Sequence, residues 1–190
     1  MAGNRLEDIR VAALMTDGFE ELEFTSPRDA LVSEGAIVHV ISPADRHVQA
    51  MHHVHLSGIY SVDVPVDQAN PEDYDAVLLA GGVMNGDKLR INEAALNFVR
   101  QMDEKDKPIF VICHAPWLLV SAGIVRGRTM TSYHTLKDDM INAGAKWVDE
   151  PVVIDENIIS SRSPGDLEQF NKAIIDKLLQ VKAEKHAHAR

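Results

Sequence analysis

The stretch PIFVICHAPWLLVSAG, residues 108–123, carries the strongest fold signal in the chain. Residues 108–112 are apolar throughout and predict a buried strand, whereas a helix is expected to begin near Ala115. The change from strand to helix falls at Cys113, with no loop residues expected between the two elements. Such an abrupt turn puts its apex residue in a sparse backbone conformation and directs the side chain out of the sheet. The sequence therefore predicts a nucleophile elbow with Cys113 at its apex.

Short apolar runs alternate with helical patterns on both sides of this stretch. Strands are predicted at residues 10–15, 36–42 and 75–80, around Thr129, and in a hairpin at residues 152–160. Helices are predicted at residues 20–34, 92–105, 135–143 and 165–181. Strands that are apolar throughout and separated by helices favour a mostly parallel sheet covered on both faces. We therefore expect an α/β sandwich.

Two segments depart from this alternation. Residues 44–66 lack helical periodicity and carry His47, His52, His53 and His55, so a small hairpin is expected there. Histidines of this group are expected at the surface rather than on a metal, because no further ligand lies nearby. Residues 1–181 are expected to form a single domain. The last residues, 182–190, are expected to be a frayed, mostly cationic tail that follows it.

Composition excludes several classes of function. The 190 residues carry a formal net charge of −10, which disfavours binding to the phosphate backbone of nucleic acids. No run of apolar residues approaches the length of a membrane span or a signal peptide. The single cysteine, Cys113, excludes an intrachain disulfide and fits a reducing, cytoplasmic location. Its thiol either packs in the hydrophobic core without a chemical role or takes part in catalysis or redox chemistry.

Ligands of parallel α/β sheets bind at the carboxyl ends of the strands, near the switch point in strand order. Three loops qualify: residues 16–18, Gly81-Gly82 and Cys113-His114. Near the amino end of a helix, the macrodipole and free N–H groups would lower the pKa of the Cys113 thiol. His114 follows directly in sequence and is not expected to face the same sulfur. Instead, its N–H could bind an oxyanion while its ring turns towards another acid.

Three glutamates crowd the predicted start of the first helix. Glu20 and Glu21 read as ordinary partners of the helix dipole. Glu23 differs, because Pro27 lacks the N–H that would bond the Glu23 carbonyl, and the helix is expected to be interrupted there. A carboxyl buried at that point would have a raised pKa and could share a proton with the sulfur.

Gly81 and Gly82 allow close backbone approach to a ligand, as in an oxyanion hole, but they also suit any tight turn. Neither dinucleotide-binding nor P-loop glycine patterns occur, so no nucleotide cofactor is expected, and no other cofactor or metal is predicted.

Six motifs in order together resemble the ThiJ/PfpI superfamily, and within it the PfpI-type intracellular protease and general-stress branch. They are DGFEELE (17–23), YDAVLLAGG (74–82), NGDKLR (85–90), VICHAPWLLVSAGIVRGRTMTSY (111–133), INAGAKWVDEPVV (141–153) and SRSPGDL (161–167).

This resemblance implies a flavodoxin-like sandwich in which Cys113 is the nucleophile, Glu23 hydrogen-bonds its sulfur and His114 is the family histidine. It also implies that the backbone amides of Gly82 and His114 form the oxyanion hole. Asp87 of an adjoining subunit would complete a Cys-His-acid set, so a homodimer or larger homo-oligomer is expected.

Two departures from related patterns bear on function. Many relatives read Asn-Pro-Asp where this chain has Asn85-Gly86-Asp87, which predicts a freer loop around Asp87. Val111 and Ala115 replace the glycines of a G-x-C-x-G elbow, which argues against a class I glutamine amidotransferase.

Two classes of function remain open. The first is a cysteine-dependent hydrolase of stress response, either a glyoxalase or protein deglycase acting on a small dicarbonyl such as methylglyoxal or on glycated protein, or an intracellular peptidase. The second is a redox sensor or holdase chaperone whose Cys113 is oxidised to the sulfinic acid without turnover.

Overall fold

The computed structural model describes residues 4–188. Its strands are β1 (Arg10–Leu14), β2 (Phe19–Glu20), β3 (Ile37–Ser42), β4 (His47–His52), β5 (His55–Ser61), β6 (Val64–Pro65), β7 (Ala76–Leu79), β8 (Ile109–Ile112), β9 (Thr129–Met130), β10 (Lys146–Trp147), β11 (Val152–Asp155) and β12 (Ile158–Ser161). Its α-helices are α1 (Glu21–Ser33), α2 (Val83–Leu89), α3 (Glu93–Glu104), α4 (Pro116–Ala122), α5 (Lys137–Asn142) and α6 (Leu167–His188).

The central sheet has seven strands in the order β11-β12-β8-β7-β1-β3-β6. Every pair is parallel except β11 with β12, which form the antiparallel hairpin predicted at residues 152–160. Two small sheets, β2-β4-β5 and β9-β10, lie apart from it. The mostly parallel α/β sandwich expected from the sequence is therefore confirmed.

The strands at the centre are buried on both faces, which explains their unbroken apolar sequences. Along β1, Ala12 and Leu14 pack into one core while Val11 and Ala13 pack into the other. One core includes apolar side chains of α3, α4 and α5, and the other includes those of α1 and α6. On α6, Phe170, Ile174 and Leu178 recur every fourth residue and are fully buried.

Helix α3 shows how local sequence sets an element's bounds. Asn92 is its N-cap, and the Asn92 side chain accepts a hydrogen bond of 2.9 Å from the backbone N–H of Ala95. Its inward face buries Leu96, Val99 and Met102 at helical spacing.

Three predictions about helices were wrong. Helix α1 continues through Pro27, whose side chain is buried, so the missing hydrogen bond does not interrupt it. Helix α2 was not predicted, because its glycine and asparagine read as a loop. The predicted frayed end is instead helical to His188, and Lys185 Nζ lies 2.7 Å from Asp75 Oδ1. Residues 189–190 lie outside the described part of the chain.

The segment at residues 44–66 forms the expected hairpin, in which β4 and β5 pair antiparallel. Its first strand, β4, pairs in parallel with the short strand β2 just before α1. This pairing brings the hairpin to the same end of the molecule as the start of α1. Within residues 4–188, no helix combines the length and apolar composition needed to cross a membrane.

Candidate active site

The three loops named by the sequence meet at the carboxyl ends of β1, β7 and β8. Strand β1 pairs with β3 on one side and β7 on the other, so the strand order reverses there. The Asn85 side chain holds the loops together: its Oδ1 accepts from Thr16 N at 2.8 Å, and its Nδ2 donates to the carbonyls of Ala80 and Gly81. Asn85 is fully buried, so it fixes this junction rather than binding a ligand.

Cys113 occupies the apex of a strained turn, as the elbow prediction requires. Its backbone φ is 63°, in the left-handed region that a side chain other than glycine rarely adopts. Helix α4 begins only at Pro116, so two residues separate Cys113 from the helix. The prediction that no loop residues intervene was therefore wrong.

Glu23 lies beneath the sulfur, with a fully buried side chain. Its Oε2 accepts a hydrogen bond of 2.9 Å from Gly81 N, and the carboxyl also hydrogen-bonds Cys113. Burial is the main cause that raises the pKa of Glu23 to about 8. The nearby charge of Glu20 adds to this rise, whereas the bonds to Cys113 and Gly81 oppose it. At neutral pH the Glu23 carboxyl therefore carries a proton.

The expected lowering of the thiol pKa by a helix amino end is opposed by burial. Cys113 is only 7% exposed, and burial raises the pKa of its thiol. Ionised Glu23 would raise it further, whereas the backbone N–H groups of Gly82 and His114 lower it. Because Glu23 and Cys113 are in contact, their protons leave as a coupled pair.

His114 does face the sulfur, contrary to the sequence-based expectation. Its Nδ1 lies 3.1 Å from Cys113 Sγ, and its Nε2 lies 3.4 Å from the hydroxyl oxygen of Thr135. Successive side chains do not alternate here as in a strand, because Cys113 has a left-handed backbone conformation. Burial, with the neighbouring His134, lowers the pKa of His114 to about 4. The ring is therefore a neutral imidazole at neutral pH, stacked on Tyr133.

The glycine pair permits close contact around the sulfur. A Cβ added to Gly81 would lie 2.2 Å from Glu23 Oε2 and 2.7 Å from Cys113 Cβ. Gly82 has a φ of 94°, and a Cβ there would lie 2.3 Å from the Gly18 carbonyl oxygen. Side chains at these two positions would separate the loops that form the site.

A cleft of about 970 Å³ opens above these residues. Both Cys113 and His114 line it, together with Glu23 and the backbone around Gly82. Apolar walls come from the hairpin, from α2 and from the segment after β12, with these side chains: Met51, Val54, Val83, Met84 and Pro164. A cleft of this size accommodates a small molecule or a few residues of a peptide.

Asp87 does not join the site within one chain. It lies on α2, is exposed, and is not among the residues that line the cleft. The predicted free loop at Asn85-Gly86-Asp87 was wrong, because these residues form part of a regular helix. Gly86 lets α2 approach closely, since a Cβ there would lie 2.9 Å from the His114 carbonyl oxygen.

The hairpin histidines are exposed on its turn, with side-chain exposures of 54% for His52 and 71% for His53. Among residues 4–188 there is no cluster of three or more His, Cys, Asp or Glu side chains arranged to hold a metal.

Several residues that line the cleft opposite the sulfur were not predicted from the sequence. Glu20 lines the cleft rather than serving only the helix dipole, and so do Tyr133 and Thr135. The hairpin also contributes His53 and Val54 to the cleft. The one sequence feature that could have indicated this is the presence of the apolar residues Val54 and Leu56 in a histidine-rich turn. Glu21 instead fastens α1 to the hairpin, since it accepts hydrogen bonds from Ser57, Gly58 and Tyr60.

A cysteine at a strained elbow, a buried acid beneath it and a glycine pair at a sheet switch point define a recognisable class of α/β proteins. Residues 9–177 match the DJ-1/PfpI family, and this chain belongs to that family. The ThiJ/PfpI resemblance and its flavodoxin-like fold are thereby confirmed.

Two deglycases of Pyrococcus species are similar to almost the whole chain. The deglycase PH1704 of Pyrococcus horikoshii is 40% identical over 172 residues, which is 90% of this chain and all of the relative. The deglycase PfpI of Pyrococcus furiosus is 38% identical, with the same coverage. Among solved structures, a two-domain protein of Anabaena variabilis with DJ-1/ThiJ/PfpI-like and ferritin-like domains superposes with a TM-score of 0.84 at 33% identity. That match covers 90% of this chain and 48% of the two-domain chain.

Proposed function

We propose that the protein is a cysteine-dependent enzyme of the glyoxalase or deglycase type, with Cys113 as its nucleophile. The observation that carries this proposal is the contact of Cys113 Sγ with both Glu23 and His114 Nδ1 at the base of an open cleft. The names of the two Pyrococcus relatives support a glycated or dicarbonyl substrate. The cleft has room for such a small molecule.

The first step is the attack of Sγ on the aldehyde carbon of a dicarbonyl. A sulfur–carbon bond forms, and the carbonyl electron pair moves to oxygen, where the N–H groups of Gly82 and His114 can donate hydrogen bonds. His114 Nδ1 takes the thiol proton and passes it to this oxygen, giving a hemithioacetal. Because burial lowers the pKa of His114 to about 4, the ring is unprotonated at neutral pH, and Nδ1 is free to receive the thiol proton while it is transferred to the oxygen.

The second half of the reaction releases a hydroxy acid. A proton moves from the former aldehyde carbon to the neighbouring carbonyl carbon, and the hydroxyl proton moves to the neighbouring carbonyl oxygen, which leaves a thioester on Cys113. Water then hydrolyses the thioester and restores the thiol. Overall, one dicarbonyl and one water give one hydroxy acid, with no external oxidant or reductant. Throughout, protonated Glu23 donates a hydrogen bond to sulfur and stabilises its negative charge.

A substrate panel tests this function. Purified wild type and Cys113→Ser are compared on methylglyoxal, on glycated peptides and on a fluorogenic peptide. We expect Cys113→Ser to lower methylglyoxal consumption by about a thousandfold, since a hydroxyl is a far weaker nucleophile here. Unchanged consumption in this variant would contradict the proposal, and cleavage of the fluorogenic peptide alone would favour a peptidase.

A redox sensor is the second candidate, and one feature of Glu23 favours it. Its Oε1 is buried without a hydrogen-bond partner. A protonated carboxyl there could donate to a sulfinate oxygen formed when two equivalents of peroxide oxidise the thiol and are reduced to water. Peroxide-dependent gain of two oxygens on Cys113, without any substrate turnover in the panel, would support this role instead.

We further propose that the active form is a homodimer or larger homo-oligomer. Among the described residues of one chain, the His114 ring has Cys113 and Thr135 as hydrogen-bonding neighbours and no carboxylate, while Asp87 is exposed on the nearby helix α2. Asp87 of a second copy could supply the missing acid. Sizing chromatography with assay of each fraction is expected to find activity in the oligomer, and a fully active monomer would exclude Asp87 as a partner in trans.

A further inference from the structure

Glu20 is a buried carboxylate in the wall of the cleft that the proposed chemistry does not use. The residue is 7% exposed, and its Oε2 accepts a hydrogen bond of 2.9 Å from His53 N. Its Oε1 has no hydrogen-bond partner. The nearest cationic candidates are two imidazoles, with His52 Nδ1 at 3.6 Å and His53 Nδ1 at 4.0 Å, and both of these side chains are largely exposed.

Of the other titratable side chains that line the cleft, Glu23 and His114 carry no charge at neutral pH. Among the described residues that line the cleft there is no lysine or arginine. Glu23 is neutral because its pKa is about 8, and His114 is neutral because its pKa is about 4. The carboxylate charge that a ligand meets on its way to Cys113 therefore belongs to Glu20, with the largely exposed imidazoles of His52 and His53 beside it.

We infer that Glu20 makes the cleft selective for charge, excluding electrophiles that carry a carboxylate from Cys113 and admitting neutral or cationic ones. Like charges repel more strongly near a buried, poorly solvated carboxylate than in water, and such repulsion gives specificity. For the substrate class, the inference rests on the proposed function: neutral dicarbonyls and carbonyl adducts of amines or guanidines are favoured over acids such as glyoxylate.

Two alkylating reagents test this selectivity without requiring turnover. Iodoacetamide and iodoacetate both form a sulfur–methylene bond and release iodide, and they differ only in a neutral amide or a carboxylate. Cys113 is the single thiol of the chain, so the label reports on this site alone. Both rates are measured in the same buffer and at the same pH. A neutral cysteine amide provides the ratio of the two rates for a free thiol.

For each thiol we compare the rate with iodoacetamide divided by the rate with iodoacetate. We expect this ratio to be about tenfold or more higher for Cys113 in the wild type than for the free thiol. Glu20→Gln keeps an acceptor for His53 N and should bring the ratio back to that of the free thiol. Glu20→Asp keeps the charge and should retain the preference. Asp17→Asn is the matched control, because it removes a negative charge from the loop just before β2, at a half-exposed side chain 3.8 Å from Lys88 Nζ.

Three outcomes would overturn the inference: the same ratio in wild type and Glu20→Gln, an equal change in Asp17→Asn, or no reaction of Cys113 with either reagent. Failure of the proposed function has a different signature. A protein that consumes no methylglyoxal but shows a Glu20-dependent alkylation ratio has a charge-selective cleft and another activity. A protein that consumes methylglyoxal, but whose alkylation ratio is the same in wild type and Glu20→Gln, contradicts only the proposed role of Glu20.

Discussion

Replacing Glu23 with glutamine is expected to remove a contribution that lowers the stability of the wild type as the pH rises from about 5 to about 8. A carboxyl whose pKa rises on folding binds its proton more tightly in the native state than in the unfolded chain, so the native state loses stability as pH rises. For Glu23 the rise is from 4.5 to about 8. At about 1.4 kcal/mol per unit, this is on the order of 4 kcal/mol lost across that range.

Urea unfolding at several pH values measures this effect. Glu23→Gln resembles the protonated carboxyl and can still accept from Gly81 N, so the difference in the free energy of unfolding between wild type and Glu23→Gln should change by about 4 kcal/mol over this range. The lowered pKa of His114 affects both proteins alike and cancels in this difference. Cys113→Ser is the control, because it keeps the buried carboxyl and should keep the slope. Parallel profiles for wild type and Glu23→Gln would show that Glu23 has no raised pKa.

Gly81→Ala is expected to damage both stability and activity. The backbone of Gly81 can accept an L-residue, since its φ is not in the left-handed region, so the cost is steric. The new methyl group would meet Glu23 Oε2, Cys113 Cβ and the Ile112 carbonyl oxygen, all within 2.9 Å. We expect a loss of about 3 kcal/mol in the free energy of unfolding. Displacement of sulfur and carboxyl should also lower turnover by about 100-fold.

Gly165→Ala is the matched variant for stability. A Cβ at Gly165 would meet only the Ser163 hydroxyl oxygen, at 3.8 Å, so its free energy of unfolding should lie within about 0.5 kcal/mol of wild type. If Gly81→Ala were as stable and active as Gly165→Ala, the close packing of Gly81 against the site would be wrong.

Much of the fold follows from local sequence because buried parallel strands need unbroken apolar runs. β1, β7 and β8 were predictable for that reason, and so was the elbow at Cys113. Helix α2 was not, because Asn85 and Gly86 are poor helix formers whose role is set by tertiary contacts, the first as a bridge between loops and the second by close approach to His114.

The sequence allowed the central residues of the site to be predicted, but not the effect of burial on the pKa of the Cys113 thiol. Cys113 and Glu23 could be paired from the switch-point argument, yet the effect of burial on the thiol depends on packing that no local pattern encodes. The position of the His114 ring depends on one left-handed φ angle at its neighbour. Glu20 and the hairpin reach the cleft only through the pairing of β2 with β4, a contact between segments distant in sequence.

The proposed role of Glu23 requires that its carboxyl, which lies beside the Cys113 sulfur, is protonated at neutral pH. Carbon-13 NMR of glutamate carboxyls, with Glu23→Gln used to assign the Glu23 signal, follows that proton directly. The expected midpoint for Glu23 is about 8. A midpoint near the ordinary value of 4.5 would mean that the carboxyl is already ionised beside Cys113 at neutral pH, and the proposed stabilisation of the sulfur would be contradicted.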